Sequence, residues 1–254
     1  MVCSYDVSRP YVEMTSRLMV KFGIKVRLSD SMVEVAHGCS YREPKDFHVE
    51  ADWSSAAFFY EAEAIGAPEM VLGSLPDPAD SLQGDSAAAA IFGRLGVDSV
   101  FDAAGAKISS AASSADYIET DFKDCPDLVL PFAVAALCKG VKFRCVNVSH
   151  LRLKESDRIE SLMMEAKKIG FLLEAGENHI EWKGETVRPE ANPVIDPHDD
   201  HRVAMAFAMA AFKFGEIRIM NPEVVKKSFI DFWNQIEAIG LRCKEEEGIM
   251  TVTR

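Results

Sequence analysis

The strongest constraint on the fold is a helix ending that recurs four times along the chain. The four endings are Lys21-Phe22-Gly23, Arg94-Leu95-Gly96, Lys168-Ile169-Gly170 and Ala238-Ile239-Gly240. In each, a glycine follows a segment with helical apolar spacing and precedes an alternating apolar run, as expected where glycine ends an amphipathic helix before a strand. The glycines recur at intervals of roughly 70 to 74 residues, which indicates structural repeats.

A second kind of helix recurs in step with the first. Its three starts are Asp52-Trp53-Ser54, Pro126-Asp127-Leu128 and Asp200-His201-Arg202, and the residues that follow are apolar all round. Helices of this composition are buried, and aspartate is a favoured N-cap. We therefore predict an α/β fold of three units, each with a buried helix, an amphipathic helix and short strands. Packing around an approximate threefold axis would turn corresponding helix starts towards the same end.

The first part of the chain holds only half a unit. Residues 1–48 contain an amphipathic helix, about Pro10 to Phe22, and its strands, but no buried helix. Repeat arrays normally begin with a whole unit. We therefore expect residues 1–48 to be the tail of an otherwise missing N-terminal domain and residues 49–254 to form the C-terminal domain. The missing domain of the same protein is the expected macromolecular partner.

Composition narrows the class of ligand. A net charge of -12 argues against nucleic acid or an anionic membrane as partner, because both require a basic face. Six scattered cysteines without a CxxC pair or zinc spacing predict a cytoplasmic protein with reduced thiols and no metal site. The apolar runs are too short to span a bilayer, and the first residues do not resemble a signal peptide. An anionic ligand would therefore need a local basic pocket.

Cations are concentrated where helices are expected to begin. Arg152, Lys154 and Arg158 precede or open the helix that ends at Gly170, although a helix N-terminus disfavours positive side chains. Lys154 and Arg158 would also form a like-charge pair one helical turn apart. A bound anion would reverse both penalties. The alternative is a solvated basic turn, neutralised in part by its neighbouring carboxylates.

Two other helix starts also carry cations. Arg202 lies in the first turn expected after Asp200, and Lys226 and Lys227 precede the last amphipathic helix. Cations at three equivalent starts suggest one shared anionic ligand. Simpler interpretations remain for individual residues. Asp52, Asp127 and Asp200 are candidate N-caps, His201 a satisfied polar residue, Lys226 a solvated lysine, and Ser8 and Tyr11 the cap and first turn of the first helix.

Several segments, in order, resemble motifs of one enzyme family. They are Ser8 to Thr15 (SRPYVEMT), Val49 to Ala56 (VEADWSSA), Leu151 to Ile159 (LRLKESDRI) and Asp199 to Ala206 (DDHRVAMA), with Pro126-Asp127 and Lys227-Ser228-Phe229 in register. Together they resemble 3-phosphoshikimate 1-carboxyvinyltransferase, also called EPSP synthase. The resemblance implies an inside-out α/β barrel of the enolpyruvyl transferase type, with repeats around a pseudo-threefold axis. It also implies transfer of the enolpyruvyl group of phosphoenolpyruvate to the 5-hydroxyl of shikimate 3-phosphate, without metal or organic cofactor.

The resemblance also assigns residues. Asp127, Lys154 and Glu155 match catalytic positions: Asp127 and Lys154 reach the shikimate hydroxyls, and Glu155 transfers protons near the phosphoenolpyruvate methylene. The matching substrate-binding positions are Ser8 and Tyr11 on the shikimate 3-phosphate side, and Arg158, His201, Arg202 and Lys227 around phosphoenolpyruvate. These roles are chemically reasonable because preorganised cations stabilise a polyanionic intermediate.

The chain departs from the family pattern in two ways. His150 stands where some members have an asparagine that contacts shikimate 3-phosphate, and the N-terminal motifs of the family are missing. We therefore expect the isolated chain to be weakly active or inactive. Three alternatives are a UDP-N-acetylglucosamine enolpyruvyl transferase, which would not carry the LRxKESDR run, a non-catalytic anion-binding module, and a repeat scaffold for protein contacts.

Overall fold

The computed structural model describes residues 9–29, 32–112 and 115–254. The α-helices in these ranges are α1 (Arg9–Lys21), α2 (Trp53–Ile65), α3 (Ala88–Gly93), α4 (Val129–Lys139), α5 (Arg158–Lys168), α6 (His201–Met209), α7 (Ala211–Phe214) and α8 (Phe232–Ala238). The strands are β1 (Val26–Leu28), β2 (Val33–Val35), β3 (Met70–Gly73), β4 (Val97–Asp102), β5 (Gly105–Ser110), β6 (Tyr117–Asp121), β7 (Lys142–Val146), β8 (Glu174–Ala175), β9 (His179–Trp182), β10 (Val194–Ile195), β11 (Glu216–Met220), β12 (Arg242–Glu246) and β13 (Ile249–Thr253).

Three buried helices form the centre of the fold. α2, α4 and α6 pack against one another, and most of their side chains are inaccessible to solvent. Each contributes a fully buried phenylalanine, Phe58, Phe132 and Phe207 respectively, and burying such a side chain stabilises the fold by about 1.5–3 kcal/mol. The sheets lie outside these helices. The predicted inside-out α/β barrel with three units is therefore confirmed.

The three sheets share one connection pattern. Their strand orders are β3-β5-β4, β6-β7-β9-β8 and β10-β11-β13-β12. In the second and third sheets, the strand before the buried helix pairs in parallel with the strand after it, and an antiparallel hairpin completes the sheet. A parallel pair needs a crossover connection, which the buried helix supplies. In the second and third units, this topology places the starts of the buried helices α4 and α6 in equivalent positions.

The helix-ending glycines occupy the conformation that their positions require. The φ angles of Gly23, Gly96, Gly170 and Gly240 are 87°, 84°, 105° and 104°. This left-handed region is accessible to glycine without the steric cost that a side chain imposes. The four repeated endings predicted from the sequence are confirmed.

The cationic stretch before α5 differs from its prediction. Ser149–Leu153 forms a 3₁₀ turn, Lys154 is extended (φ -90°, ψ -154°), and α5 begins only at Arg158. The helix starts there because the side chain of Asp157 caps it by accepting from the Glu160 N–H at 3.0 Å. Arg152 and Lys154 therefore do not lie in the first turn of a helix. The predicted like-charge pair between Lys154 and Arg158 is wrong.

Two further predictions about helix starts are corrected. Lys226 and Lys227 end a 3₁₀ turn (Pro222–Lys227), and α8 begins several residues later, at Phe232, so neither lysine lies at a helix N-terminus. Asp127 lies in a 3₁₀ turn (Pro126–Leu128) that precedes α4 and does not cap that helix. By contrast, Asp52 and Asp200 accept from backbone amides at the starts of α2 and α6, as predicted for N-caps.

The segment that begins with α1 packs against the first unit. Pro10 approaches Gly84 so closely that a Cβ atom on the glycine would lie 2.6 Å from the proline Cβ. The Phe22 and Phe47 rings meet edge-on at 5.0 Å between centroids. The Asp124 carbonyl oxygen would lie 2.8 Å from that same Cβ atom on Gly84, so the first turn of α1 lies near the turn that precedes α4. Among the residues described, we find no helix with the length and apolar character needed to span a bilayer.

Candidate functional site

Arg158 is the centre of a buried ionic cluster. It is the first residue of α5, and its side chain is only 2% exposed because the helix start points into the end of the barrel. Its Nε donates to Asp200 Oδ2 at 2.7 Å, Nη1 to Asp127 Oδ1 at 2.8 Å and Nη2 to Glu155 Oε2 at 2.8 Å. Burial lowers the pKa of Arg158, but these carboxylates outweigh that effect and raise it. The guanidinium therefore joins three segments of the chain.

Asp127 receives donors from three other elements. Arg202 Nη2 donates to its Oδ2 at 2.9 Å, and the Tyr11 hydroxyl donates to the same oxygen at 3.0 Å. Arg158 occupies the other carboxylate oxygen. Burial raises the pKa of Asp127, but the charges of Arg202, Arg158 and Lys154 outweigh it, so the pKa lies below its ordinary value. The carboxylate is held ionised by its cationic surroundings.

Arg202 reaches this cluster from the first turn of α6. Asp200 accepts from the Arg202 amide at 3.0 Å and so fixes the helix start, while its other oxygen faces Arg158. Asp200 thus has two roles: it orients the backbone of Arg202 and it neutralises the guanidinium of Arg158. Arg202 remains 12% exposed, so one side of its guanidinium is close to solvent. This is the geometry of an arginine that can bind a further anion.

Glu155 links Lys227 to the cluster. Lys227 Nζ lies 3.3 Å from Glu155 Oε1, and the second carboxylate oxygen accepts from Arg158. Burial raises the pKa of Glu155, but a backbone hydrogen bond and the charges of Arg158 and Lys227 lower it below the ordinary value. Lys227 thus lies next to the carboxylate that binds Arg158, although it arrives from a 3₁₀ turn.

Lys154 and two histidines complete the surroundings. Lys154 is half-buried, and its charge acts on both Asp127 and His150. Burial lowers the pKa of His150, and Lys154 lowers it further. His201 is 4% exposed, and burial followed by the Arg202 charge lowers its pKa too. Both histidines are therefore favoured in the neutral form, so His201 adds a polar imidazole, not a fifth cation.

Most of the residues predicted for the site are brought together. Asp127, Glu155, Arg158 and Arg202 bond directly, Lys227 and Tyr11 each join through a carboxylate, and Lys154 and His201 lie close enough to shift pKa values. Ser8 lies outside the described residues. Tyr11 is more than the first turn of a helix, because burial and then the charges of Asp85 and Asp127 raise its pKa.

Asp85 is a buried carboxyl that sequence reasoning missed. It is 2% exposed and accepts a hydrogen bond from the Ser54 hydroxyl. Burial and the charge of Asp127 raise the pKa of Asp85 to about 6, against the opposing effects of Ser54 and Arg202. A lone aspartate after Gly84 carries no spacing signal, so only the close packing of α1, α2 and the 3₁₀ turn before α3 reveals it.

A cavity of about 500 Å³ adjoins the cluster on the side of α1. Tyr11 belongs to both, since it lines the cavity and donates to Asp127. Asp52, Ser54 and Asp85 belong to the polar part of the cavity wall, and Met14 and Leu18 of α1 to its apolar part. Within the described ranges, no group of three or more His, Cys, Asp and Glu side chains is arranged to hold a metal ion.

Comparison with known proteins agrees with this arrangement. A family model described as EPSP synthase (3-phosphoshikimate 1-carboxyvinyltransferase) matches residues 2–236. The 3-phosphoshikimate 1-carboxyvinyltransferase of Bacteroides fragilis (strain YCH46) is 36% identical over 248 residues, which cover 95% of this chain and 58% of that protein. Its namesake from Syntrophobacter fumaroxidans is 34% identical over 233 residues, which cover 91% of this chain and 54% of that protein.

A solved structure supports the same conclusion. The 2.37 Å structure of EPSP synthase from Acinetobacter baumannii has a TM-score of 0.68 at 26% identity, and the match covers 94% of this chain and 55% of that chain. The chain thus spans little more than half the length of these relatives. Fold and site together define a protein of the enolpyruvyl transferase type. Within that type, the chain belongs to the EPSP synthase family, as its motifs predict.

Proposed function

We propose that this chain supplies the C-terminal part of an EPSP synthase active site. In this reaction, the 5-hydroxyl of shikimate 3-phosphate adds to C2 of phosphoenolpyruvate while C3 takes up a proton. Loss of phosphate and of a C3 proton from the tetrahedral intermediate then gives the enolpyruvyl ether. The observation that carries the proposal is the convergence of Arg158 and Arg202 on Asp127.

The cluster is suited to a small, highly charged acid. Arg158, Arg202, Lys154 and Lys227 surround the carboxylates of Asp127, Glu155 and Asp200, so four cations gather in one place in a protein with a net charge of -12. Four hydrogen bonds engage the Arg158 guanidinium, because Nη2 also donates to Asp200 Oδ1 at 3.4 Å, and this leaves one further N–H donor. In a buried setting such fixed donors stabilise developing negative charge better than water does.

In this proposal, Asp127 binds a substrate hydroxyl and Glu155 transfers protons. Asp127 is held as an acceptor, so a substrate hydroxyl can donate to it where Tyr11 now does. Glu155 can accept a proton only when its contact with Arg158 or Lys227 weakens, since both lower its pKa. A phosphate group that draws these cations away would make Glu155 more basic. Anion binding and proton transfer are thereby coupled at one residue.

The domain division forms part of the proposal. We assign residues 1–48 to the tail of an N-terminal domain and residues 49–254 to the C-terminal domain, with the rest of the N-terminal domain as partner. Two observations support this division: the relatives are nearly twice as long, and α1 reaches Asp127 through Tyr11. Cytoplasmic location is also proposed, supported by the unpaired state of all five described cysteines.

A chimera tests the activity. The N-terminal portion of the Bacteroides fragilis relative, which this chain does not span, is joined ahead of the present chain, and phosphate release from phosphoenolpyruvate is followed. We expect turnover that depends on shikimate 3-phosphate and falls about 10²-fold or more in Lys154→Ala through lost electrostatic stabilisation. Lys244→Ala, an exposed lysine paired only with Glu246, is the matched control and should be unaffected.

The same assay separates the alternatives. Turnover with UDP-N-acetylglucosamine in place of shikimate 3-phosphate would assign the other enolpyruvyl transferase reaction. A chimera that folds, as judged by circular dichroism, but binds neither substrate would overturn the proposal. Equal turnover in Lys154→Ala and wild type would remove Lys154 from the site.

A further inference from the structure

The turn that delivers Asp200 to the site is strained. His198 and Asp199 are successive non-glycine residues at φ 51° and 58°, a conformation that L-residues rarely adopt. The turn is closed by two local hydrogen bonds, from the His198 amide to Asp196 Oδ1 at 2.8 Å and from the Asp200 amide to the Pro197 carbonyl at 2.9 Å. Strained backbone of this kind persists only where the surroundings hold it.

Glu165 of α5 provides that support. Its side chain is fully buried, and Oε1 lies 2.9 Å from His198 Nε2. Its Oε2 accepts from the Asp196 amide at 2.9 Å and pairs with Lys168 Nζ at 2.7 Å. The Glu165 carboxylate therefore bonds the strained turn at two points, the His198 side chain and the Asp196 backbone amide.

Glu165 lies in the same helix as Arg158, so its contacts with the turn are linked to the site through α5. Glu165 lies seven residues after Arg158 in the same helix, or about 10 Å along its axis. The helix thus contacts the 196–200 turn at two points, Arg158 to Asp200 and Glu165 to His198 and Asp196. Two separated contacts fix the orientation of the turn relative to the helix, whereas one contact would leave it free to rotate.

We propose that Glu165 is a positioning residue, which holds His198 and the turn so that Asp200 keeps Arg158 and Arg202 directed at one anion. It touches neither ligand nor reacting atoms and acts through the turn. The ligand named here rests on the proposed function. The positioning of Arg158 by Asp200 does not depend on which ligand binds. The positioning role and the proposed function can therefore be tested separately.

Two substitutions of His198 separate the effect of its hydrogen bond to Glu165 from the effect of the backbone conformation of the turn. Gln places its amide nitrogen about where the imidazole Nε2 lies, so His198→Gln can still donate to Glu165. The amide of asparagine reaches only as far as the imidazole Nδ1, so His198→Asn loses the hydrogen bond to Glu165. Asparagine nevertheless tolerates a positive φ angle better than glutamine does. A purely structural role for the turn therefore favours Asn, whereas a positioning role favours Gln. Glu165→Gln, which keeps the shape but removes the charge, is the complementary variant.

Calorimetric titration of phosphoenolpyruvate into the purified chain gives the first readout. We expect His198→Gln to bind within about twofold of wild type, and His198→Asn and Glu165→Gln to bind about tenfold more weakly, the loss of one charge-assisted contact. His37→Asn, an exposed histidine far along the sequence from the turn, is the control. Wild-type affinity in His198→Asn, or a loss in His198→Gln that matches it, would overturn the inference.

A second readout needs no ligand. Hydrogen exchange of the Arg158 Nε–H, which donates to Asp200, is followed by NMR and assigned with Arg158→Lys. We expect exchange about tenfold faster in His198→Asn than in wild type, with His198→Gln unchanged, at equal global stability in urea. Identical exchange in all three proteins would overturn the positioning role. If the wild-type chain fails to bind phosphoenolpyruvate but the exchange pattern appears, the proposed function fails and the positioning role stands.

Discussion

The Tyr11 hydroxyl donates to Asp127 Oδ2 at 3.0 Å and so joins the first helix to the turn before α4, 116 residues later in the chain. The same carboxylate oxygen accepts from Arg202, so the contact ties α1 directly to the cationic cluster. The segment assigned to the N-terminal domain therefore reaches the site through one phenol.

Removing that phenol oxygen should loosen α1 without unfolding the barrel. Tyr11→Phe deletes one hydrogen bond to a charged acceptor, with an expected cost of about 1.5–3 kcal/mol in the docking of α1. Amide hydrogen exchange should accelerate within Arg9–Lys21 and stay unchanged in α4. Tyr41→Phe, at a residue 66% exposed, is the control. Unchanged exchange in α1 would show that other contacts hold the helix.

Gly84 makes a second prediction about the same junction. An added Cβ would lie 2.6 Å from the Pro10 Cβ and 2.8 Å from the Asp124 carbonyl oxygen, so α1 or the turn before α4 must shift. We expect Gly84→Ala to destabilise the chain by about 1–3 kcal/mol in urea unfolding. Gly93→Ala is the matched control, since nothing lies within 4 Å of its added Cβ. Equal stability of the two variants would contradict the packing described.

Arg158 should be more costly to remove than any surface cation. Arg158→Met leaves Asp200, which is fully buried, and Asp127 without their main counter-charge, and breaking a buried pair costs about 3–5 kcal/mol. Arg152→Met breaks a half-exposed pair with Asp157 and one hydrogen bond to the Gly176 carbonyl, and should cost about 1–2 kcal/mol. Urea unfolding at neutral pH measures both. A comparable small loss in the two variants would show that the cluster is not electrostatically coupled.

The sequence anticipates the repeats because a glycine after an amphipathic helix and an aspartate before a buried one act locally. Such local signals predict where a helix begins, as at Asp200. They do not predict which distant residues a side chain contacts in the folded protein. Asp127 looked like another N-cap, and only packing between units shows it between two arginines. Glu165 and His198 are separated in the chain by the end of α5 and three strands, β8, β9 and β10, so no spacing rule links them.

Asp85 predicts how stability depends on pH. Its pKa is raised by burial from 3.8 to about 6, so the folded state binds the proton more tightly than the unfolded state does. The stabilisation is complete below about pH 4 and is lost as pH rises through about 6. Asp85→Asn should remove this loss. Between pH 4 and pH 7, the free energy of unfolding of the wild type should fall by up to roughly 3 kcal/mol more than that of the variant.

The measurement is urea unfolding at several pH values. Asp80→Asn, at an exposed side chain, should keep the wild-type profile. The acid limb should persist in Asp85→Asn, because the lowered pKa values of Asp127 and Glu155 supply stability that is lost as pH falls. A wild-type profile between pH 4 and 7 in Asp85→Asn would contradict the assignment.

The most direct test of the account is calorimetric titration of phosphoenolpyruvate into the chain and its Arg202→Gln variant, with Lys244→Gln as control. Arg202 bonds Asp127 while one face stays near solvent, whereas Lys244 pairs with Glu246 on an exposed strand. We predict one-to-one binding to the wild type and to Lys244→Gln, and affinity reduced about tenfold or more in Arg202→Gln. Equal affinity in all three proteins, or no heat of binding in any, would contradict an anion site at the cluster.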